Sequence, residues 1–271
     1  MRILAAIALG LLAALPARAQ ERRASHCIAI AEAPGVDYVQ LAAWGDPLPD
    51  DWTIRLSYID HAMFLIETAG GASAITDYAG FIGTTDFAPD IATMNHAHGT
   101  HWTASPDPRI GRVMEGWAGQ GQTAEVADLY VRNVPTDIRG RMGGVEAEGN
   151  SIFVFEAAGL CVGHLGHLHH EPDAGQYAAL GRLDVVMAPV DGGLTLPRET
   201  LRAVLGRLRS SVVIPMHWFG RANLEAFIAE MGGDFDVERP GTSHYEVSLR
   251  SLPDRPTIVV LEPSFLSDSA D

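Results

Sequence analysis

The chain has 271 residues, and its formal net charge is −15 at pH 7. A chain of this length can bury the core of one full domain. The strong negative charge disfavours binding to the phosphate backbone of nucleic acids or to anionic lipid surfaces. We therefore expect a small-molecule substrate and no nucleic-acid partner.

Residues 1–19 have the pattern of a secretory signal peptide. Arg2 gives a positive start, residues 3–15 are apolar, and small residues lead to a cleavage site after Ala19. The apolar run is shorter than the roughly 20 residues that a membrane-spanning helix needs. No later apolar segment is long enough either, so we expect no stable membrane insertion. The pattern predicts a periplasmic or secreted protein with one domain over residues 20–271.

Short apolar runs along the chain predict buried strands, and several of them end in residues with reactive or metal-binding side chains. The first part of the chain predicts strands over residues 54–58, 63–66 and 73–76. Four later runs predict strands over residues 90–94, 151–162, 183–190 and 211–216. Alternation over residues 245–261 predicts further strands near the C-terminus.

Segments whose apolar residues have the spacing of a helix lie between and after these strands. This spacing predicts helices over residues 198–208 and 223–231, and a shorter one over residues 173–181. The mixture predicts one α/β domain with helices covering sheets. Open α/β sheets place their sites at strand ends, which is where the candidate ligands of this chain lie.

The two cysteines are Cys27 and Cys161. An exported protein can join such a pair in a disulfide. Cys161, however, lies in an apolar run that predicts a buried strand, and no pattern brings Cys27 close to it. We therefore favour Cys161 as a small, buried, unpaired side chain.

The histidines are strongly clustered. Seven of the eleven fall in two windows, which hold His96, His98 and His101, and then His164, His167, His169 and His170. In an extended segment residues i and i+2 point the same way, so His96 and His98 can bind one ion together. His101, beyond the bend at Gly99, can face a neighbouring ion. Imidazole suits zinc and similar ions, and the clustering predicts metal binding; we leave His169 and His170 out of the site.

The motifs resemble the metallo-β-lactamase superfamily, and within it the branch of L-ascorbate-6-phosphate lactonases and N-acylphosphatidylethanolamine phospholipases. The resemblance covers residues 52–219 in motif order and spacing. His61-Ala62 is similar to the Gly-His-Ala of that branch, and Asp77 to the aspartate that ends its early hairpin. Residues 96–101 match the signature His-x-His-x-Asp-His, except that Thr100 replaces the aspartate.

This resemblance implies a fold and a set of ligands. The fold is the αβ/βα sandwich, in which two mixed β-sheets are flanked by helices. The implied ligands are His96, His98 and His164 for a first metal, and His101 and His217 for a second, with His167 in the position of the bridging aspartate.

Thr100 and His167 replace two family aspartates, and this affects the charge of the centre. A neutral imidazole cannot bridge two ions as a carboxylate does, and two divalent ions among neutral imidazoles, about +4 in total, would repel strongly. We hypothesise either one tightly bound ion, or two whose charge a carboxylate from elsewhere offsets. The candidates are Asp77, Asp191 and Asp60, in that order, although each also suits a turn or cap, the interpretation we prefer for Asp60.

The leading functional prediction is a metal-dependent hydrolase that uses a metal-bound water on a small ester, lactone or phosphodiester. Zinc is the expected ion, one or two per chain, with iron, manganese and copper left open. His61 is a candidate proton shuttle or substrate contact, and a hydrogen-bonded histidine at a strand end is an equal alternative. Two other functions stay open: a redox enzyme of the same fold with iron or copper, and a non-catalytic periplasmic metal-binding protein.

Overall fold

A computed structural model of the protein describes Cys27 and residues 44–119, 121–140 and 143–268. The predicted signal peptide lies outside these residues. The strands are β1 (Thr53–Asp60), β2 (Met63–Thr68), β3 (Ser73–Ile75), β4 (Gly83–Thr84), β5 (Ile91–Met94), β6 (Arg112–Glu115), β7 (Thr123–Val126), β8 (Leu129–Arg139), β9 (Val145–Ala157), β10 (Leu160–His164), β11 (Val185–Pro189), β12 (Val212–Met216), β13 (Asp236–Glu238), β14 (His244–Ser248), β15 (Thr257–Val259) and β16 (Leu266–Ser267). The helices are α1 (Ala174–Leu180), α2 (Arg198–Leu208) and α3 (Arg221–Met231).

The strands form two large mixed sheets. A six-stranded sheet has the order β14-β1-β2-β3-β5-β6, and an eight-stranded sheet has the order β13-β15-β12-β11-β10-β9-β8-β7. In the first sheet β3, β5 and β6 are parallel, and in the second β10, β11, β12 and β15 are parallel. A short parallel pair, β4 and β16, stands apart. The predicted architecture of two mixed sheets is therefore observed.

Three apolar clusters hold these layers together. The first lies between the two sheets and includes Phe64 and Phe155. The second joins the eight-stranded sheet to the three helices, for example through Leu201 and Phe227. The third covers the outer face of the six-stranded sheet with loop residues such as Trp102. Within the described residues, the three helices therefore flank the eight-stranded sheet.

Most of the predicted elements are present, with one large omission. Helix α2 has the predicted bounds, and the run over residues 151–162 divides at a turn into β9 and β10. Strands β6, β7 and β8 and the first half of β9 were not predicted, because none of them contains a long unbroken apolar run like those that predicted the buried strands. No helix in the described ranges is long and apolar enough to cross a membrane.

Cys27 and Cys161 form a disulfide, with their Cα atoms 5.8 Å apart. The prediction that Cys161 is buried is confirmed, but the prediction that it is unpaired was wrong. Cys27 packs into the cluster between the eight-stranded sheet and the helices, and its carbonyl accepts a hydrogen bond from the Arg182 N–H at 2.9 Å. This packing over 134 residues of sequence separation has no local signal in the chain.

Candidate metal centre

Loops that follow strands of both sheets meet at one edge of the sandwich. The six-stranded sheet supplies the loops after β1, β3 and β5, and the eight-stranded sheet supplies the loops after β10, β11 and β12. The side chains that these loops bring together are His61, Asp77, His98, His101, His167, Asp191 and His217.

Four imidazoles form the centre of this edge: His61, His98, His101 and His217, whose ligand nitrogens all lie within 4.8 Å of one another. The Nε2 atoms of His98 and His217 are 3.4 Å apart. This is long for a hydrogen bond, but two nitrogens on one tetrahedral zinc are about 3.3 Å apart when each Zn–N bond is about 2.0 Å. Nε2 of His61 and of His101 is buried, with no hydrogen-bond partner among the described residues. Because unsatisfied buried nitrogens are unfavourable, this donor set fits a metal ion.

Three of these four rings are held in place through the other ring nitrogen, Nδ1. The partners are Oγ1 of Thr100 for His98 at 2.8 Å, Oδ2 of Asp77 for His101, and Oδ2 of Asp191 for His217 at 2.7 Å. The last contact is close but bent, because the ring N–H does not point directly at the oxygen. A carboxylate can only accept, so it places the ring proton on Nδ1 and leaves the Nε2 lone pair facing the group.

The two carboxylates are themselves firmly anchored. Asp77 is fully buried and accepts a hydrogen bond from Asn95 Nδ2 at 2.8 Å, and burial raises the pKa of the Asp77 carboxyl to about 6. Asp191 accepts hydrogen bonds from Thr195 Oγ1 at 2.7 Å and from backbone N–H groups of the following loop. Burial alone would raise the pKa of Asp191, but the contacts with His217 and Thr195 hold it below its usual range.

His61 differs from the other three rings, because no residue described in the structure holds it by a side-chain hydrogen bond. It is partly exposed, and its ring centroid lies 3.9 Å from that of His217 and 5.0 Å from that of Phe219. Burial, and then the neighbouring imidazoles, lower the pKa of His61, so the ring is neutral near pH 7. Phe219, 61% exposed, lies over both rings at the mouth of the centre.

The backbone of the centre is strained. His61, Asp77, His217 and Phe219 have left-handed φ angles of 49°, 43°, 58° and 54°. Such angles are uncommon for residues other than glycine. Each amounts to about 1–3 kcal/mol of strain, and such residues cluster at functional sites. The concentration of strained residues at this edge supports a functional role.

Three predicted ligands lie outside the group of four, and two of them, His96 and His164, form hydrogen bonds elsewhere in the protein. Nδ1 of His96 donates to Oε1 of Glu146 at 2.6 Å. Nε2 of His164 donates to the Ala62 carbonyl at 2.8 Å, and its Nδ1 accepts from the Gly166 N–H at 3.2 Å. Both nitrogens of His164 are therefore in use within the protein. A ligand role for His96 or His164 stays a prediction from the sequence.

The position of His96 follows from the backbone after β5. The Ala97 N–H donates to the Asn95 carbonyl, and the His101 N–H donates to the His98 carbonyl, both at 2.9 Å. The segment is a compact loop, so the prediction that it is extended, with His96 and His98 on the same side, was wrong. The loop directs His98 and His101 into the centre and His96 away from it.

The remaining candidates take different places. His167 is buried beside the group, with ring centroids 5.0 to 5.3 Å from those of three of the four rings, but it is outside the set of four. Asp60 is exposed at the end of β1, as expected for a turn residue. Sequence reasoning missed Asn95, Glu146 and Phe219, which carry no motif of their own.

Comparisons with known proteins agree with this geometry. The model of the Beta-lactamase superfamily domain matches residues 55–217, more than half of the chain. The chain is 26% identical over 200 residues to a UPF0173 metal-dependent hydrolase of Methanoculleus marisnigri, a match that covers 64% of this chain and 87% of the relative.

Two solved structures have a similar fold. One is a candidate Zn-dependent hydrolase of the metallo-beta-lactamase superfamily from Thermotoga maritima, with a TM-score of 0.55 and 23% identity over 78% of this chain and 100% of the other. A candidate metal-dependent hydrolase from Parabacteroides distasonis gives a TM-score of 0.51 and 15% identity over 66% of this chain and 89% of the other. The predicted metallo-β-lactamase fold is confirmed.

Proposed function

The chain belongs to the β-lactamase superfamily, and from this premise we propose that it is a metal-dependent hydrolase whose centre holds one divalent ion. One observation carries the proposal: three imidazoles converge, each fixed at Nδ1, with Nε2 turned to a common point. The fixed ligands are His98, His101 and His217. Catalytic zinc sites characteristically have three protein ligands and one open position.

The charges in the structure favour one ion over two. Asp77 and Asp191 contact the rings of two ligands and together contribute a charge of −2. This balances one divalent ion held by neutral imidazoles. A second ion would add a further charge of about +2 at short range, in a buried site where charges interact strongly.

A zinc ion in this position supplies Lewis acidity and an activated water near neutral pH. Residues of the chain fix the protonation and the position of the imidazoles that would bind this ion. Asp77 and Asp191 keep the proton on Nδ1 of the rings that they contact. His61 lies beside the three ligands with a neutral ring, which can donate a hydrogen bond to the reacting group. Because no hydrogen bond fixes the ring of His61, it can yield to a substrate.

The mouth of the centre indicates the class of substrate. Phe219 presents an exposed aromatic face directly beside His61, which suits an apolar group next to the scissile bond. We therefore propose a small ester, lactone or phosphodiester with an apolar substituent, in keeping with the resemblance to lactonases and phospholipases. The net charge of −15 disfavours polyanionic substrates such as nucleic acids.

We also propose that the protein is exported to the periplasm or beyond. The N-terminal pattern of residues 1–19 supports export. The Cys27–Cys161 disulfide supports it independently, because disulfides persist in oxidising compartments and are rare in the cytosol.

The first experiment is to count metals per chain by inductively coupled plasma mass spectrometry, in protein purified from periplasm and again after zinc reconstitution. We expect about one zinc per chain, lost in His101→Ala and retained in the control His170→Ala, which replaces a histidine outside the group of four. The same samples are assayed for hydrolysis of esters, lactones and phosphodiesters, with and without chelator.

The outcomes separate the alternatives. Saturable turnover that requires the metal supports the hydrolase. Tight zinc binding without turnover across the whole panel would instead indicate a non-catalytic metal-binding protein, and bound iron or copper with oxygen consumption would indicate a redox enzyme. Failure to bind any metal after reconstitution would refute the centre itself.

A further inference from the structure

His96 and Glu146 form a pair beside the centre that the proposed reaction does not use. We propose that Glu146 is a positioning residue that holds His96 outside the metal centre, and that this contact restricts the centre to one ion. The inference rests on the proposed function, because it concerns the same centre. The inference gives a structural role to Glu146, which belongs to no recognised sequence motif.

The contact between the two side chains is direct. Nδ1 of His96 lies 2.6 Å from Oε1 of Glu146, the distance of a charge-assisted hydrogen bond. Both side chains are about two-fifths exposed, so solvent weakens the contact. The contact alone would therefore be a modest restraint, and other features of the structure must add to it.

The backbone supplies the second restraint. The His96 N–H donates to the carbonyl of Gly149 at 3.0 Å, which ties the start of the histidine loop to β9. The carboxyl of Glu146 lies over the same glycine, where a Cβ would come within 3.2 Å of it and within 2.3 Å of the Ile138 side chain. Gly149 therefore leaves the space through which Glu146 reaches His96.

Two indole rings supply the third restraint. The ring centroid of His96 lies 5.7 Å from that of Trp102 and 5.2 Å from that of Trp117. The two indoles also contact each other edge to face, with centroids 6.0 Å apart, and they pack against the apolar cluster on the outer face of the six-stranded sheet. His96 thus contacts two partly buried indoles as well as Glu146, and moving it into the centre would break three contacts at once.

Three carboxylates near the centre are then each bound to a histidine ring or in contact with one. Asp77 is bound to His101, Asp191 contacts His217, and Glu146 is bound to His96. None is free to bridge two ions or to offset the charge of a second one. Releasing Glu146 from this arrangement would free an imidazole and lower the barrier to a second ion.

The test compares zinc binding by four proteins: wild type, His96→Ala, Glu146→Ala and the double variant. Glu148→Ala, on the same strand, is the control. Zinc is titrated against a chromophoric chelator, and cobalt spectra report the ligand geometry without reference to activity. We expect one ion in wild type and in His96→Ala, with affinities within about twofold. In Glu146→Ala we expect a second, weaker ion to bind about two- to fivefold more tightly than it binds to wild type, because the contact that is removed is a partly exposed ion pair. We expect the double variant to lose this gain.

Three results would overturn the inference, and each would still be compatible with metal-dependent hydrolysis. Two ions in wild type would show that nothing restricts the centre. A tenfold loss of the tight ion in His96→Ala would make His96 a ligand. Zinc binding by Glu146→Ala that is identical to that of Glu148→Ala would show that Glu146 restrains nothing. All these variants lie at partly exposed positions, so folding is expected to survive, and circular dichroism checks it.

Discussion

Asp77 accepts two hydrogen bonds at once, and replacing it with asparagine tests whether this arrangement prepares His101 to bind a metal. One carboxylate oxygen accepts from Asn95 Nδ2 at 2.8 Å, and the other accepts from His101 Nδ1. An asparagine side chain has only one acceptor oxygen. In either orientation its amide nitrogen faces another donor, so Asp77→Asn must lose one of the two bonds or move the His101 proton from Nδ1 to Nε2, the nitrogen that faces the metal.

The magnitude follows from this geometry. All three side chains are fully buried, and an unsatisfied buried donor lowers the free energy of unfolding by about 1–3 kcal/mol. If the bond to His101 is lost, its ring proton is no longer held on Nδ1. Partners of this kind typically contribute 10–100-fold to metal affinity, or about 1.4–2.8 kcal/mol. We therefore expect Asp77→Asn to weaken zinc binding by about 10- to 100-fold.

The assay is competition for zinc with a chromophoric chelator at fixed pH, together with thermal unfolding of the metal-free protein. Asp90→Asn is the matched control. Asp90 accepts two hydrogen bonds from Ser73 through a single oxygen, which an amide oxygen can replace, and it precedes β5 at the end of the strand away from the centre. If Asp77→Asn and Asp90→Asn bind zinc equally well, the idea that Asp77 prepares His101 is refuted.

Three further predictions address the other parts of the structure. His61→Ala should weaken zinc binding less than tenfold and lower kcat/KM by about 100-fold or more, as for loss of a hydrogen-bond donor to the transition state; loss of the metal instead would make His61 an essential ligand. Phe219→Ala should raise KM about tenfold for an aryl or long alkyl ester through lost apolar contact, with little change for a methyl ester; equal effects on both would contradict an apolar subsite. Cys27→Ala combined with Cys161→Ala should lower the free energy of unfolding in urea by up to about 5 kcal/mol, from the loop of 134 residues that the disulfide closes; an unchanged midpoint would show that the disulfide adds no stability.

The sequence predicted the edge at which the centre lies, because apolar runs and the residues that follow them are local features. The ends of β5 and β12 deliver His98, His101 and His217 as the order of motifs implied. Strand periodicity and helix spacing gave α2 within its observed bounds. Patterns of this kind depend on neighbours a few residues apart.

The details that the sequence did not predict depend on distant contacts. Whether His96 faces the centre is decided by Glu146 and by the loop hydrogen bonds around Asn95, and neither shows in motif spacing. His164 carries the spacing of a ligand, yet its ring bonds to the Ala62 carbonyl, 102 residues away. The role of Thr100 was also hidden: it replaces a carboxylate of the family signature and instead holds the ring of His98.

The centre draws its ligands from both sheets, which has a consequence for the lifetime of the protein. His98 and His101 follow a strand of the six-stranded sheet, and His217 follows a strand of the eight-stranded sheet. An ion bound to all three would cross-link the two halves of the sandwich. An ion that binds only the folded chain adds about 2.7 kcal/mol to its stability when present at 100 times its Kd. When metal is scarce the protein would then be less stable, and proteolysis of its unfolded form would reduce its abundance.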